Sequence, residues 1–186
     1  LGAQGEGVII DAGVDADEAI EAANQAGIKI KYIILTHGHV DHIRSADKLK
    51  EKTGALVCIH EADKECLTIA SLNVSAFVGM NLVLSKPDRV LLDGDSLEAG
   101  GTKFEILHTP GHTPGCICIK VDNMLFTGDT LFRTSVGRTD LPGGNQNELV
   151  NSIRNKLMVL DGDTAVYPGH GPSSTIGHEK KYNPYV

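Results

Sequence analysis

The chain has 186 residues, which suits a single domain whose core is large enough to fold without disulfides. Its formal net charge is −7 and it has no basic run, which argues against nucleic acid and anionic membrane surfaces as partners. No apolar stretch approaches the roughly 20 residues that span a bilayer, and no secretory signal pattern opens the chain. We therefore expect a soluble globular protein.

The cysteines carry no motif. Their positions are Cys58, Cys66, Cys116 and Cys118, and no pair has the C-x-x-C spacing of a zinc ribbon or redox site. Cys116 and Cys118 stand two apart in an apolar run and would share one face of a strand. We expect four buried, reduced thiols, as in a reducing cytosol, and a cytoplasmic location.

The first third of the chain alternates between strand and helix patterns. Apolar runs predict strands at residues 8–10, 32–35 and 55–59. Small apolar residues at helical spacing predict a helix over residues 17–26, with Gly27 following as its C-cap. A second helix is expected to begin near His42 and to end near Lys50.

The middle of the chain changes from helical to strand patterns. Residues 61–86 carry helical pieces that are interrupted at Asn73 and Gly79. Short apolar segments then predict strands at residues 89–92, 102–108, 116–121 and 124–127.

The last part of the chain returns to a helix followed by a strand. Asn145 and Glu148 have the spacing of a capping box and predict an amphipathic helix ending near Leu160, with a strand at 164–167. Helices thus flank a block of strands, several of which end in a loop with His or Asp. The pattern predicts an α/β (α+β) fold with two sheets, helices on both outer faces and a site at the strand ends. We assign residues 1–186 to one domain.

A dense group of metal-binding residue types follows the strand at 32–35. His37, His39, Asp41 and His42 lie within six residues, although the whole chain has only eight histidines. Neutral imidazole and carboxylate are the usual ligands of Zn²⁺ and similar divalent metals. Alternate residues of an extended turn point the same way, so the two halves of this group would serve neighbouring positions. The motif therefore favours two metals.

Further ligands are expected from later loops. His112 lies in a stiff Pro-Gly turn, and Asp129 and His170 each follow an apolar strand directly. Each is weak evidence alone, because a single Asp after a strand is more often a turn residue. Together and in this order they are strong evidence for a metal centre.

In sequence order these motifs resemble those of the metallo-β-lactamase superfamily, from Asp11-Ala12-Gly13 to His170. The resemblance implies a four-layer αββα sandwich, part of whose N-terminal strand would precede Leu1. It also implies that two metals are held as follows: one by His37, His39 and His112, the second by Asp41, His42 and His170, with Asp129 bridging them. Zinc is the metal we expect, while iron and manganese accept the same ligand types.

Differences within the superfamily narrow the function. Antibiotic-hydrolysing members place Cys where this chain has Asp129, so we exclude that role. Flavodiiron members place Glu where this chain has His39, and they carry a flavodoxin-like domain. Residues 132–144 are similar to those of single-domain bacterial glyoxalase II-like (hydroxyacylglutathione hydrolase-like) proteins. This resemblance implies a hydrolase that cleaves a small-molecule thioester with a metal-bridging hydroxide.

The same resemblance suggests roles for individual side chains. Asp41 would orient the nucleophile and take its proton besides binding metal. Arg133 and Arg138 are candidates for contacts to anionic groups of the substrate, or else for bracing of their loop. Where two-domain glyoxalase II has a Gly-Lys-x-Tyr segment, this chain has Gly137-Arg138-Thr139-Asp140, so the acyl group and thiol carrier stay open. The oligomeric state stays open as well.

Other functions share the pattern. A persulfide dioxygenase would use the same fold and the same ligand types with one iron. A nuclease would need more basic surface than this chain offers. A purely structural metal site would not need the carboxylate of Asp41. Among the other histidines, we expect His60 to be structural at a helix start. His108 is expected to be either a neighbour of the metal ligands or a strand residue, and His178 has no assigned role.

Overall fold

Two sheets and a small hairpin make up the strands of the computed structural model, which describes residues 2, 3 and 5–186. The first sheet has five strands in chain order: β1 (Gly2–Ala3), β2 (Glu6–Ile10), β3 (Lys29–Ile34), β4 (Leu56–His60) and β5 (Arg89–Leu91). Strands β2 to β5 are parallel, whereas β1 pairs antiparallel with β2.

The second half of the chain builds the other sheet. Its strands are β6 (Ser96–Ala99), β7 (Thr102–His108), β8 (Ile117–Val121), β9 (Met124–Gly128), the hairpin β10 (Leu131–Phe132) and β11 (Ser135–Val136), and then β12 (Ala165–Pro168) and β13 (Ser174–Thr175). Apart from the hairpin, these strands form a six-stranded sheet in the order β13-β12-β9-β8-β7-β6. All its pairs are antiparallel except β12 with β9.

Helices cover the outer faces of both sheets. They are α1 (Ala16–Gln25), α2 (Val40–Ile43), α3 (Ala46–Thr53), α4 (Gln146–Ser152) and α5 (Ile176–Tyr182). Two 3₁₀ helices, Glu61–Leu67 and Ser75–Val78, fill the stretch after β4, and a π-helical turn, Ile153–Leu157, extends α4. Within the described residues, none of these helices has the length and hydropathy that crossing a bilayer requires.

The hydrophobic core lies in three layers, because the sheets are buried on both faces. Ile34 packs with Phe104 and Ile119 between the sheets, whereas its neighbour Ile33 packs outward under α1 and α3. This alternation explains why residues 32–34 of β3 form a continuous apolar run. A third cluster, which includes Leu149 and Ile153, lies between the second sheet and its helices. The αββα sandwich expected from the sequence is confirmed.

Most predicted elements are present, and the cysteines are buried free thiols as predicted. The prediction of a single helix up to Lys50 was wrong, since α2 and α3 are separate helices. Between them the Ser45 backbone N–H donates to the Ala12 carbonyl, and its hydroxyl donates to the Val14 carbonyl, which turns the chain. Strand β6 and helix α5 had no prediction.

The helix near the end of the chain is shorter than predicted. The Asn145 side chain accepts hydrogen bonds from the backbone N–H groups of Asn147 and Glu148, so it caps α4 as expected. The backbone N–H of Asn145, however, donates to the Gly111 carbonyl instead of to Glu148. Regular α-helix ends at Ser152 rather than near Leu160.

Candidate metal centre

Every metal ligand predicted from the sequence lies in a loop or short helix that follows the carboxyl end of a strand. His37, His39, Asp41 and His42 follow β3, His112 follows β7, Asp129 follows β9 and His170 follows β12. The first sheet therefore supplies four of these side chains and the second sheet supplies three. They meet at one edge of the sandwich, where their ligand atoms form two separate groups and a third, His37, His42 and Asp129, that overlaps both.

The first group consists of His37, His39 and His112. Its ligand atoms lie within 4.8 Å of one another, and all three side chains are buried. His112 Nε2 is 2.9 Å from His39 Nδ1. Three imidazoles converging on one buried point are a suitable set for a divalent transition metal.

The second group consists of Asp41, His42 and His170, and it is open to solvent. His42 Nε2 is 3.2 Å from His170 Nε2, which is 3.1 Å from Asp41 Oδ2. His42 is buried, whereas the side chains of Asp41 and His170 are 54% and 57% exposed. A substrate can therefore reach this side of the centre.

Asp129 lies between the two groups. Its Oδ1 is 3.4 Å from His42 Nε2, while its Oδ2 is 3.7 Å from His112 Nε2 and 3.8 Å from His170 Nε2. The carboxylate thus lies close to ligands of both groups. Close packing by glycine fixes it, because a Cβ on Gly169 would lie 2.5 Å from Asp129 Oδ1.

Hydrogen bonds on the far side of the rings orient two of the histidines. His112 Nδ1 is 2.7 Å from the Arg138 carbonyl, which accepts only, so this nitrogen carries the proton. His42 Nδ1 is 2.8 Å from Asp11 Oδ2. Both contacts leave the Nε2 lone pair facing the centre, as a metal ligand requires.

Buried atoms without partners show that the residues fit metal ions. Of the four buried side-chain atoms in the described chain that make no hydrogen bond, three lie at the centre, His37 Nε2, His39 Nε2 and Asp129 Oδ1, and the fourth is His178 Nε2. Such atoms are costly to bury unless something else binds them. Metal ions bound at the two groups would give His37 Nε2 and Asp129 Oδ1 a partner.

The electrostatics of the centre point the same way. Burial lowers the pKa of His37 well below its usual range and that of His39 to about 4, so both are neutral at pH 7. Burial also acts to lower the pKa of His42, but the hydrogen bond with Asp11 and the charges of Asp129 and Asp41 outweigh it and raise it to about 9. The same carboxylates would favour a metal cation in place of that proton.

The two predicted substrate contacts are less clearly part of the site. Arg133 and Arg138 are both exposed. The Arg138 guanidinium makes two hydrogen bonds of 2.7 Å to the carboxylate of Asp140, whose pKa this pairing lowers to about 2. Because Asp140 already pairs with Arg138, the contact of this arginine with a substrate anion stays a prediction.

The remaining histidines have other surroundings. His60 caps the 3₁₀ helix Glu61–Leu67 by accepting from the Ala62 N–H, as predicted. His108 stacks on His60 with ring centroids 3.9 Å apart and donates to the Pro114 carbonyl, in the loop that carries His112. His178 lies in α5, away from the metal ligands.

Two carboxylates at the site, the partly buried Asp11 and the fully buried Asp63, had no assigned role in the sequence. Asp11, at the end of β2, accepts hydrogen bonds from the backbone N–H and hydroxyl of Thr36 and contacts His42. Asp63 accepts hydrogen bonds from two loops that carry ligands. The position of Asp11 directly after a strand was a usable signal, whereas Asp63 lies in a stretch with no readable pattern.

A family comparison agrees with the fold. A model of the metallo-beta-lactamase superfamily matches residues 1–170, and the chain belongs to that superfamily. Two curated relatives are "Hydroxyacylglutathione hydrolase GloC" of Haemophilus influenzae, 39% identical, and "Probable metallo-hydrolase YqgX" of Bacillus subtilis, 38% identical. Each alignment spans 182 residues, which is 96% of this chain and 86% of the relative.

Solved structures show the same fold. BLEG-1, described as a B3 metallo-beta-lactamase, matches with a TM-score of 0.92 and 38% identity over 97% of this chain and 88% of its own. TTHA1623, solved in a di-iron-bound form, matches with a TM-score of 0.83 and 36% identity, over 95% of this chain and 88% of its own. ETHE1 from Myxococcus xanthus matches with a TM-score of 0.82 and 29% identity, over 99% of this chain and 76% of its own.

Proposed function

We propose that this protein is a two-metal thioester hydrolase of the glyoxalase II type. The observation that carries the proposal is the pairing of a buried three-histidine group with an open group, Asp41, His42 and His170, across the shared carboxylate of Asp129. The similarity to GloC of Haemophilus influenzae supports the glyoxalase II type. Zinc remains our expectation for the metal, and the di-iron form of TTHA1623 makes iron the main alternative.

In the proposed hydrolysis, the bound metals and Asp41 have different roles. Two bound divalent ions would supply an activated water nucleophile and polarise the thioester carbonyl. Asp41 is the exposed carboxylate of the open group, so we assign it the orientation of the nucleophile and the acceptance of its proton. A thiolate leaves without protonation, so the site needs no strong general acid.

A persulfide dioxygenase with a single iron is the second candidate. The similarity to ETHE1 at 29% identity over 99% of this chain keeps it open. The two functions differ in metal count and in the consumption of oxygen. The excess of acidic over basic residues still argues against a nuclease, and the exposed carboxylate of Asp41 argues against a closed structural site.

The test combines metal analysis with turnover on one sample of freshly purified protein. Elemental mass spectrometry should find about two metal ions per chain, as expected for a binuclear hydrolase. The same sample should hydrolyse S-D-lactoylglutathione, and Asp41→Asn should lower kcat by roughly 10²- to 10⁴-fold, as expected for loss of a proton acceptor.

Two control substrates separate the alternatives. One iron per chain with oxygen uptake on a glutathione persulfide, and no thioester turnover, would replace the hydrolase with the dioxygenase. Because BLEG-1 is described as a B3 metallo-beta-lactamase, a chromogenic cephalosporin belongs in the same assay. Faster turnover of that β-lactam than of any thioester would overturn the proposal and our exclusion of antibiotic hydrolysis.

A further inference from the structure

Asp63 is a fully buried carboxylate outside the predicted ligand set. It lies in the 3₁₀ helix Glu61–Leu67, and none of its surface is exposed. Its Oδ2 accepts hydrogen bonds from the Gly38 backbone N–H at 2.9 Å and from the Thr113 hydroxyl at 2.7 Å. Its Oδ1 accepts from the Gly115 backbone N–H at 2.7 Å. Each of these partners donates, so the carboxylate form is well satisfied.

These donors belong to the two loops that carry the first group of ligands. Gly38 stands between His37 and His39, while Thr113 directly follows His112. At the base of the same loops, the Ile117 N–H donates to the Thr36 carbonyl. Asp63 joins the loops again, next to the ligands themselves.

The loops also pack tightly against the segment that contains Asp63. A Cβ on Gly115 would lie 2.5 Å from Asp63 Cγ and 2.6 Å from its backbone nitrogen. A Cβ on Gly38 would lie 2.2 Å from Cys66 Cβ. Only glycine permits these approaches, so the loops have little freedom to compensate for a change at Asp63.

We infer that Asp63 is a positioning residue that sets the spacing of His37 and His39 from His112, and thereby the affinity of the first metal position. The inference rests on the proposed two-metal centre. The second position depends on other contacts, because His42 is held by Asp11 and the hydrogen bonds of Asp63 go to the loops of His37 and His112 rather than to that of His170. Loss of Asp63 should therefore weaken one position and spare the other.

The substitution Asp63→Asn tests this inference, because it changes one acceptor of Asp63 into a donor. An amide group in place of Oδ1 would face the Gly115 N–H, and in place of Oδ2 it would face the Gly38 N–H. A hydroxyl such as that of Thr113 can rotate to accept, but a backbone N–H cannot. Either orientation of the introduced side-chain amide therefore leaves one buried backbone donor opposite another donor, and a ligand loop must move.

The experiment measures metal binding with Co²⁺ as the probe, using the full chain after removal of metals. The wild-type protein should bind two ions with two distinguishable sets of visible absorption bands. Asp63→Asn should weaken one site by roughly 10- to 100-fold, as is typical for loss of a group that orients ligands, and change only the bands of that site. A merely structural role would not produce a selective spectral change.

Two further variants complete the design. Asp88→Asn is the matched control, because Asp88 also accepts a backbone N–H, from Val57, but lies at the opposite ends of the strands. It should bind both ions as the wild-type chain does. Thr113→Val removes one hydrogen bond to Asp63, together with the contact of the same hydroxyl with Cys116 Sγ, so it should weaken the same site by a smaller factor. This milder change keeps the test available if Asp63→Asn does not fold.

The outcomes separate this inference from the proposed function. A wild-type chain that binds no metal would remove the two-metal hydrolase and this inference together. A wild-type chain that binds two ions, with Asp63→Asn and Thr113→Val binding both at unchanged affinity, would overturn the inference alone. Equal weakening of both sites would also overturn it.

Discussion

Individual side chains behind the ligands decide what the histidines can do. Asp11 illustrates this at the residue scale. One carboxylate satisfies the Thr36 N–H at 2.7 Å, the Thr36 hydroxyl at 2.8 Å and His42 Nδ1 at 2.8 Å. It therefore fixes both the loop after β3 and the ring of a ligand in the second group.

The substitution Asp11→Asn should disturb that network. Whichever oxygen the amide nitrogen replaces, it faces a group that now donates, and the negative charge beside His42 is lost, so we expect the free energy of unfolding of the metal-free protein to fall by about 1–3 kcal/mol. We also expect weaker binding at the second metal position. Urea denaturation and a metal titration measure the two effects. Asp122→Asn, at an exposed turn, is the control and should change neither. Unchanged stability and unchanged metal affinity in Asp11→Asn would refute this account of the network.

The residue scale also shows which side-chain contacts the sequence could predict and which it could not. All seven predicted ligands converge, because each lies just after a strand and strand ends meet at one edge of the sandwich. Asp63 was missed because its partners Gly38 and Thr113 are 25 and 50 residues away, and no local pattern records such contacts. The pairing of Arg138 with Asp140 was likewise missed, because it depends on how two exposed side chains turn toward each other.

At the scale of elements, α4 supports the loop that carries His112. The backbone N–H of Asn145 donates to the Gly111 carbonyl, and a Cβ on Gly111 would lie 2.3 Å from the Leu149 nitrogen. The start of this helix is thus packed directly against the ligand loop. Sequence patterns predicted the helix and its cap, but not this contact.

Replacing the cap residue tests the contribution of α4. Asn145→Ala removes the acceptor for the N–H groups of Asn147 and Glu148, and should cost about 1 kcal/mol of unfolding free energy. Asn147→Ala, at an exposed position of the same helix, should cost far less. The comparison is made by urea denaturation. Equal losses in the two variants would show that the cap contributes nothing specific.

A second link between elements predicts a pH dependence. Asp88 accepts hydrogen bonds from Lys50 of α3 at 2.6 Å and from the Val57 N–H at 3.0 Å. Burial acts to raise the pKa of Asp88, but these two bonds outweigh it and lower the pKa below the usual value. Because the folded pKa is depressed, the stabilisation is present above the unfolded pKa and is lost as the pH falls through the folded one.

Asp88→Asn should therefore destabilise the protein at neutral pH and lose that disadvantage in acid. We expect the urea midpoint of the variant to lie below that of the wild-type chain at pH 7. The two midpoints should converge as the pH falls below about 4, the ordinary range of an aspartate pKa. A gap that stays constant from pH 7 to pH 3 would contradict this assignment.

At the scale of the whole molecule, the centre exists only because the two sheets pack face to face. The first sheet brings His37 to His42 and the second brings His112, Asp129 and His170 to the same edge. The order of strand and helix patterns, together with the metal-ligand residues that follow the strand ends, made this architecture predictable. Strand β6 escaped prediction because Ser96–Ala99 buries only Leu97 and Ala99, which is too short a pattern to recognise.

The central claim is that two metals share Asp129, and anomalous diffraction from crystals of the metal-loaded protein tests it most directly. Our account predicts two peaks about 3.5–4 Å apart, as in other binuclear sites. One should lie among His37, His39 and His112, the other among Asp41, His42 and His170, with the Asp129 carboxylate between them. A single peak at full occupancy, with the other group empty, would contradict the two-metal centre.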